Sequence, residues 1–192
     1  MHIVAHKLAE VPFIAAVAAG SAMRGDPELV ILHDTAGRLQ KGNSVSWFTN
    51  PDCNVSAHIV VERDGSITQL VKFNTVAFHA GRSEWNGREN CNAFSIGIEI
   101  VNPGMMVKRG NEAQLIYKAT DDDGRIVDKV VERFPLGDCI EVSTPEHGHG
   151  WCLPYTPEQI AAVQDLCAAL TATYQTIGEI VTHWLVSPGR KV

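Results

Sequence analysis

Three short apolar runs constrain the fold more than any other feature of the sequence. Two of them end in a histidine, and the third has a glutamate inside it. ELVILH ends at His33, GEIVTH ends at His183, and FSIGIEIV alternates around Gly97 and Glu99. Apolar runs of this length that are rich in β-branched residues predict buried strands. We therefore expect a sheet whose strand ends present two histidines.

The other periodic segments complete an α/β pattern. VSAHIVVERDGSITQLV predicts two strands joined at Asp64-Gly65, because Asp-Gly between apolar runs favours a hairpin. TPEQIAAVQDLCAALTATY predicts a helix that is capped by Thr156, has Pro157 in its first turn, and carries an apolar stripe. NSVSWFTN predicts a shorter helix. Together these elements predict a mixed central β-sheet flanked by helices.

The length of 192 residues suits one domain with a buried core, so we expect a single domain over 1–192. An N-terminal segment (1–27) and an insertion (about 103–155) lie outside the periodic pattern. We expect the insertion to be an extended loop with one or two short strands around Asp123-Gly124.

In the N-terminal segment, VPFIAAVAAGSAM resembles the apolar part of a signal peptide, but an acidic residue precedes it and it is too short to span a bilayer. A packed segment is therefore favoured over a cleaved signal.

Composition disfavours several classes of function. The net charge is −6, so the basic footprint of a nucleic-acid-binding protein is missing. The five cysteines are widely spaced without a C-x-x-C motif, which predicts free thiols, although pairing of Cys139 with Cys152 stays open. Walker-type phosphate loops, G-x-S-x-G elbows and H-E-x-x-H motifs are absent from the sequence.

The strand-end histidines predict a zinc site. His33 and His183 are candidate ligands, because neutral imidazoles on rigid elements suit zinc, and zinc hydrolases use three protein ligands and one open position. The residues alone do not indicate the third ligand. Glu99 lies either on the solvent face of its strand or close to the metal as a general base. Lys191 is either a surface cation or, on the turn after Pro188-Gly189, a cation that faces a developing oxyanion.

A loop between the hairpin and the FSIGIEIV strand supplies the candidate substrate contacts. His79 of AFHAG is a groove residue, a spare metal ligand or a satisfied loop histidine. Trp85, Arg88 and Asn92 follow it, and Arg88 would pair with a peptide carboxylate. The two histidines of EHGHG either contact substrate or have no role.

Six motifs taken together resemble one family. ILHDTAG, VSAHIVVERDGSITQLV, AFHAG, N-x-FSIGIEI, YTPEQ and THWLVSPGRK occur in that order. In these stretches the chain is similar to the type 2 N-acetylmuramoyl-L-alanine amidases, which include phage endolysins, a bacterial cytosolic muropeptide amidase and the peptidoglycan recognition proteins. The resemblance covers about residues 28 to 102 and 155 to the end.

The resemblance implies a zinc enzyme that hydrolyses the amide between the lactyl group of N-acetylmuramic acid and L-alanine. It implies zinc ligation by His33 and His183, proton transfer by Glu99 and oxyanion stabilisation by Lys191. Other branches carry a tyrosine base where this chain has Ala57, which favours Glu99 as the proton carrier. The third ligand of this branch would be an aspartate at position 193, so we expect the chain to be truncated at its C-terminus.

The resemblance also bears on the biological role. The segment GREN has Asn90 where the cytosolic branch has a second arginine, which favours a cell-wall lytic, endolysin-like enzyme over a recycling amidase for anhydro-muropeptides. A non-catalytic peptidoglycan-binding module of the same fold is the alternative class. We expect a monomer that binds peptidoglycan or muropeptides, stays in the cytoplasm until release and does not insert into membranes. The insertion is expected to wall one side of the substrate groove, with Trp151 stacked on a sugar.

Overall fold

The structure is a computed structural model that describes residues 1–145 and 147–189. The strands in this part of the chain are β1 (Ile3–Val4), β2 (Lys7–Leu8), β3 (Leu29–Asp34), β4 (Ile59–Val61), β5 (Ile67–Gln69), β6 (Glu84–Trp85), β7 (Arg88–Glu89), β8 (Ser95–Ile100), β9 (Val107–Arg109), β10 (Glu112–Thr120), β11 (Ile126–Pro135), β12 (Ile140–Thr144), β13 (Gly148–Cys152) and β14 (Glu179–Thr182). The helices are α1 (Asn43–Phe48), α2 (Pro157–Thr173) and α3 (His183–Val186), with short 3-10 turns at Cys91–Ala93 and Leu136–Asp138.

A mixed five-stranded sheet forms the centre of the protein, as the sequence predicts. Its strand order is β14-β3-β8-β4-β5, with β5 antiparallel to β4 and the other neighbours parallel. The hairpin at Asp64-Gly65 is confirmed, and so is the α2 helix, whose N-terminus has a complete capping box between Thr156 and Gln159. The predicted strand end at His183 is wrong, because β14 ends at Thr182 and His183 is the first residue of the short helix α3.

The two faces of the central sheet have different partners. On β8, Ile96, Ile98 and Ile100 share a buried cluster with residues of α2. Successive side chains of a strand point to opposite faces, so Ser95, Gly97 and Glu99 project to the face away from α2. The same alternation on β3 places His33 on this second face. The second face therefore carries the polar residues that the sequence singled out.

The insertion is a second sheet system, which corrects the prediction of an extended loop. Strands β9, β10 and β11 form a three-stranded antiparallel sheet, and β12 pairs with β13 in a separate hairpin. Met106 and Trp151 join the two parts through backbone hydrogen bonds. A small apolar cluster around Met106, Ala113, Leu115 and Leu153 gives the insertion its own core.

The N-terminal segment packs against the edge of the central sheet. Backbone hydrogen bonds run from Ile14 to Gln69 and from Ala16 to Leu70, and Phe13 forms a parallel bridge with Gln69. The segment therefore covers β5, the edge strand of the sheet. None of the helices in the described part of the chain has the length and apolar character that crossing a bilayer requires.

Candidate active site

A cavity of about 640 Å³ opens on the polar face of the central sheet. Strand β3 supplies His33, strand β8 supplies Glu99 and helix α3 supplies His183 to its lining. Parallel pairing puts His33 directly beside Glu99 in the strand register. The other lining residues are Thr35, Gly37, Arg38, Asn43, Ser44, Ser46, Trp47, Phe48, Asn50, Val55, Ser56, Phe78, His79 and Tyr117.

The two candidate ligand histidines face each other through their Nδ1 atoms. Nδ1 of His33 lies 3.0 Å from Nδ1 of His183, and both residues are buried. Glu99 is also buried, and its Oε1 lies 4.0 Å from Nδ1 of His33. The solvent-face alternative for Glu99 is therefore wrong, because its carboxylate lines the cavity beside the histidine pair.

The histidine pair fits two positions of a zinc site. Two nitrogens bound to one tetrahedral zinc at 2.0–2.1 Å would lie about 3.4 Å apart, close to the separation found here. Within residues 1–145 and 147–189, no set of three His, Cys, Asp or Glu side chains takes up a metal-binding arrangement. The two nitrogens thus match part of a ligand set, while the aspartate expected at position 193 and the predicted oxyanion cation Lys191 fall outside the described residues.

His79 lies behind the pair rather than beside it. Its Nδ1 is 3.0 Å from Nε2 of His33, and its Nε2 is 3.2 Å from the hydroxyl of Ser95. Burial is the main reason that the pKa of His79 lies well below its ordinary value, and the nearby His58 and His183 act in the same direction, opposed by the backbone of Ser95. His79 is therefore neutral and contacts the ring edge of His33 that faces away from His183.

His58 is a buried histidine whose tautomer is fixed by its partners. The backbone N–H of Gly97 donates to its Nδ1 at 3.0 Å, so Nε2 carries the proton and donates to the carbonyl of Thr75 at 2.9 Å. Burial lowers the pKa of His58 to about 4, although the Thr75 carbonyl favours the protonated ring. The ring is structural, because its two hydrogen bonds join the middle of β8 to the loop at Thr75.

Three of the four predicted substrate contacts, Trp85, Arg88 and Asn92, lie outside the lining of this cavity, whereas His79 is part of it. Asn92 accepts hydrogen bonds from the backbone N–H groups of His79 and Ala80 through its Oδ1. Trp85 donates from Nε1 to Glu179. Asn92 thus holds a loop, and contact of Asn92 and Trp85 with substrate stays a prediction.

Arg88 lies at a second, smaller cavity of about 460 Å³. It pairs with Glu28 and lies over the ring of Phe94 at 4.0 Å. Phe78 lines both cavities, so the second cavity adjoins the first. Contact of Arg88 with substrate would have to occur there.

Sequence reasoning missed the aromatic rim of the main cavity. Trp47 of α1, Tyr117 of β10 and Phe78 are each more than one-third exposed and line the opening. Tyr117 donates its hydroxyl to the Ala36 carbonyl at 3.0 Å, and burial raises the pKa of this phenol. The local sequence around Trp47, Phe78 and Tyr117 gives no signal that these rings converge at one cavity.

The insertion reaches the cavity through a residue other than the expected one. Tyr117 lines the cavity, whereas Trp151 packs against the small core of the insertion with Lys108 over its ring. His147 lies near the ring of Trp184, and His149 bonds to Glu141, so neither histidine of EHGHG lines the cavity. The cysteines are free thiols, as predicted, and Cys139 and Cys152 are unbridged.

The sequence model of a family described as N-acetylmuramoyl-L-alanine amidase (Amidase_2) matches residues 23–192. The chain therefore belongs to this family of type 2 amidases, which the mixed sheet and the histidine–carboxylate cavity also fit.

Individual relatives are similar over different spans. The 1,6-anhydro-N-acetylmuramyl-L-alanine amidase AmpD of Haemophilus influenzae is 61% identical over 46 residues, which are 24% of this chain and 25% of that protein. The chain thus aligns with about a quarter of the length of this curated relative. The crystal structure of an AmpD derivative aligns with a TM-score of 0.63 and 25% identity, over 100% of this chain and 90% of the other. A second structure is the amidase AmiD from E. coli, solved with anhydro-N-acetylmuramic acid-L-Ala-D-γ-Glu-L-Lys. It aligns with a TM-score of 0.55 and 25% identity, over 89% of this chain and 54% of the other.

Proposed function

We propose that the protein is a zinc-dependent N-acetylmuramoyl-L-alanine amidase that hydrolyses the lactyl–L-alanine amide of peptidoglycan or its fragments. The observation that carries this proposal is the placement of the Glu99 carboxylate 4.0 Å from a histidine nitrogen that itself faces a second histidine nitrogen at 3.0 Å. This group lies in a cavity of about 640 Å³, large enough for a small peptide or amino sugar.

His33 and His183 would hold the zinc ion through their Nδ1 atoms. When bound, zinc supplies Lewis-acid polarisation of the scissile carbonyl and lowers the pKa of a coordinated water toward 7. Both histidines are buried, so the surrounding sheet and helix fix the directions of their rings. Lys191, by resemblance, would stabilise the oxyanion.

Glu99 would act as the general base and then the general acid. Its carboxylate takes a proton from the attacking water and returns it to the nitrogen of L-alanine as the amide bond breaks. Its position on the central strand β8 fixes the carboxylate relative to His33 through the strand register. Ala57, at the place of the tyrosine base of other branches, is fully buried and offers no proton-transfer group.

The rim of the cavity supports a substrate with both apolar and polar surfaces. Trp47, Phe78 and Tyr117 offer ring faces, and Arg38 offers a cation among polar hydroxyl and amide groups. Ring faces of this kind stack on the apolar face of a sugar, and a cation pairs with a peptide carboxylate. The AmiD structure, whose ligand combines anhydro-N-acetylmuramic acid with a peptide, supports the same substrate class.

Two biological roles are compatible with this substrate class: recycling of soluble fragments and lysis of the intact wall. The AmpD relatives favour soluble anhydro-muropeptides as substrate. Lytic action on the intact wall is the second candidate, and Asn90 favours it, because this residue at the second cavity lacks the charge of the arginine that the recycling branch uses. Loss of turbidity of purified cell walls, compared with cleavage of soluble anhydro-muropeptide, distinguishes the two roles. We also propose that the protein acts as a monomer.

The decisive experiment measures zinc content and product together. We expect one zinc per chain, release of a free L-alanine amine from purified muropeptide, loss of activity with a chelator, and recovery with added zinc. Mass spectrometry should locate the new amine at the lactyl–L-alanine bond. Full activity of metal-free protein would contradict the zinc proposal, and tight peptidoglycan binding without cleavage would show a binding module instead.

A further inference from the structure

We propose that one short segment, His79–Ala80, sets the orientation and tautomer of both candidate zinc ligands, so that His33 and His183 each present an unprotonated Nδ1 to the same point. This inference rests on the proposed zinc site. His79 acts through its side chain on one ligand, and Ala80 acts through its carbonyl on the other. Both are positioning residues rather than ligands.

The chain of hydrogen bonds begins at Ser95. Its hydroxyl oxygen lies 2.6 Å from the carbonyl oxygen of Cys91. A carbonyl can only accept, so the hydroxyl proton points to Cys91. The Ser95 oxygen is then left to accept from Nε2 of His79, which lies 3.2 Å away. His79 therefore carries its proton on Nε2.

The tautomer of His79 fixes that of His33. With Nε2 protonated, the neutral His79 ring has a lone pair on Nδ1, and this atom lies 3.0 Å from Nε2 of His33. Nε2–H of His33 donates there, which leaves Nδ1 of His33 unprotonated. The opposite arrangement would set lone pairs of His79 and Ser95 against each other.

The second ligand is oriented by the next residue along the chain. Nε2 of His183 lies 3.3 Å from the carbonyl oxygen of Ala80. Since that oxygen can only accept, His183 donates from Nε2 and also presents an unprotonated Nδ1. The two Nδ1 lone pairs then face each other at 3.0 Å, an arrangement that a cation between them stabilises. Bonds from ligand histidines to backbone or side-chain acceptors are the general means of fixing ligand tautomers.

The segment itself is held from two sides. Oδ1 of Asn92 accepts from the backbone N–H of His79 at 3.0 Å and from that of Ala80 at 2.8 Å. On the other side, the His79 ring lies directly on Gly97, where an added Cβ would come within 2.4 Å of the ring. Only glycine leaves room for this ring on strand β8. The segment is therefore fixed independently of any metal.

The first test reads the tautomers directly in metal-free protein. Imidazole ¹⁵N–¹H correlation spectra at mildly alkaline pH should show His33, His79 and His183 protonated at Nε2 and not at Nδ1. Replacement of His79 by leucine removes the acceptor, so His33 should shift to a mixture of tautomers. His79→Asn keeps an acceptor oxygen near the former Nδ1 and should preserve the Nε2–H form. Wild-type spectra with His33 protonated at Nδ1 would overturn the inference.

The second test measures affinity for zinc by competition with a chromophoric chelator. We expect His79→Leu to weaken zinc binding about 10- to 100-fold, the usual effect of losing such a partner, and His79→Asn to recover most of it. His149→Asn is the matched control, since this exposed histidine bonds only to Glu141 among the described contacts and should leave affinity unchanged.

The two proposals fail in different ways. Absence of zinc binding by the wild type would remove the proposed zinc site, while the spectra of metal-free protein would still decide the tautomers. Normal zinc binding by both His79 variants, with tautomers unchanged in His79→Leu, would remove the positioning role and leave the amidase proposal standing. Should His79→Leu not fold, the wild-type spectrum and the His79→Asn affinity decide the matter.

Discussion

The central sheet and the inserted sheet meet the same cavity, but they are built differently. Strand β8 is buried along its whole length and pairs in parallel on both sides, and it carries Glu99 into the cavity. In the insertion, β11 is an antiparallel edge strand that is mostly exposed, and the sheet contributes only Tyr117 among the described lining residues. The proposed base thus lies on the buried sheet, and a proposed recognition group lies on the more exposed one.

The difference suggests a division of labour. Groups that move protons or hold an ion need fixed geometry, which buried strands and their hydrogen bonds provide. Groups that contact the periphery of a substrate tolerate more variation, and exposed hairpins provide it. Changes in the central sheet should therefore affect turnover or folding, and changes in the inserted sheet should affect mainly substrate affinity.

The largest effect is expected from Glu99→Gln, which keeps the size of the side chain but removes the base. We expect kcat to fall by about 10² to 10⁴, with zinc content and thermal unfolding close to wild type. Steady-state kinetics on a soluble muropeptide would measure it. Glu62→Gln is the matched control: Glu62 is also buried, its bond from the Gly42 N–H can be made by an amide oxygen, and it lies outside the cavity lining. Equal loss in both variants would argue for a general effect of buried carboxylates.

The second effect concerns His58 and acid stability. Its pKa is about 4 in the folded protein against 6.5 for the unperturbed side chain, so the unfolded chain binds more protons between these values. The stabilisation is therefore fully present above pH 6.5 and is lost as pH falls toward 4, by about 3 kcal/mol. Urea unfolding across this range should show the loss, and His58→Gln should flatten it. An unchanged slope in His58→Gln would assign the acid sensitivity to other groups.

A smaller effect is expected from the inserted sheet through Tyr117. Replacement by alanine removes a ring from the cavity rim and should raise KM roughly 2- to 10-fold while kcat stays near wild type. Tyr117→Phe keeps the ring and loses only the bond to the Ala36 carbonyl, so its KM should lie closer to wild type. A large drop of kcat in Tyr117→Ala would break the division between the two sheets.

The smallest effect is expected at the tip of the β10–β11 hairpin. Thr120 pairs with Ile126, so the turn between them can be replaced by a two-residue Asn-Gly loop without disturbing the pairing. We expect KM and kcat to change less than about 2-fold, as for surface changes that remove no buried contact. A marked rise in KM would place the tip at the substrate and extend the recognition role of the insertion.

The sequence predicts the central sheet well because its strands are buried and apolar. The strand around Glu99, the hairpin at Asp64-Gly65 and the capped helix α2 all follow from local pattern. The insertion was harder, since its strands are largely exposed and a bulge between Leu115 and Ile116 shifts the register, which interrupts a regular alternation. The turn at Asp123-Gly124 is the one sequence signal that indicates strands in the insertion.

The site was partly predictable for a similar reason. His33 and Glu99 end or occupy strands, and their convergence follows from parallel pairing. The place of His79 depends on how a loop folds back over β8, and the available signal was Gly97, since glycine inside a strand indicates a close approach of other groups. Arg88 pairs with Glu28, 60 residues away in sequence, and no local pattern reveals such a partner.

The alternation of strand β8 makes the apolar core and the cavity depend on the same pairing register. A slip of one residue in the pairing of this strand would turn Ser95, Gly97 and Glu99 toward helix α2 and drive isoleucines into the cavity. The apolar core and the candidate active site would be lost in the same event. A chain with the wrong register therefore loses its apolar core together with its site, and formation of the site is coupled to formation of the core.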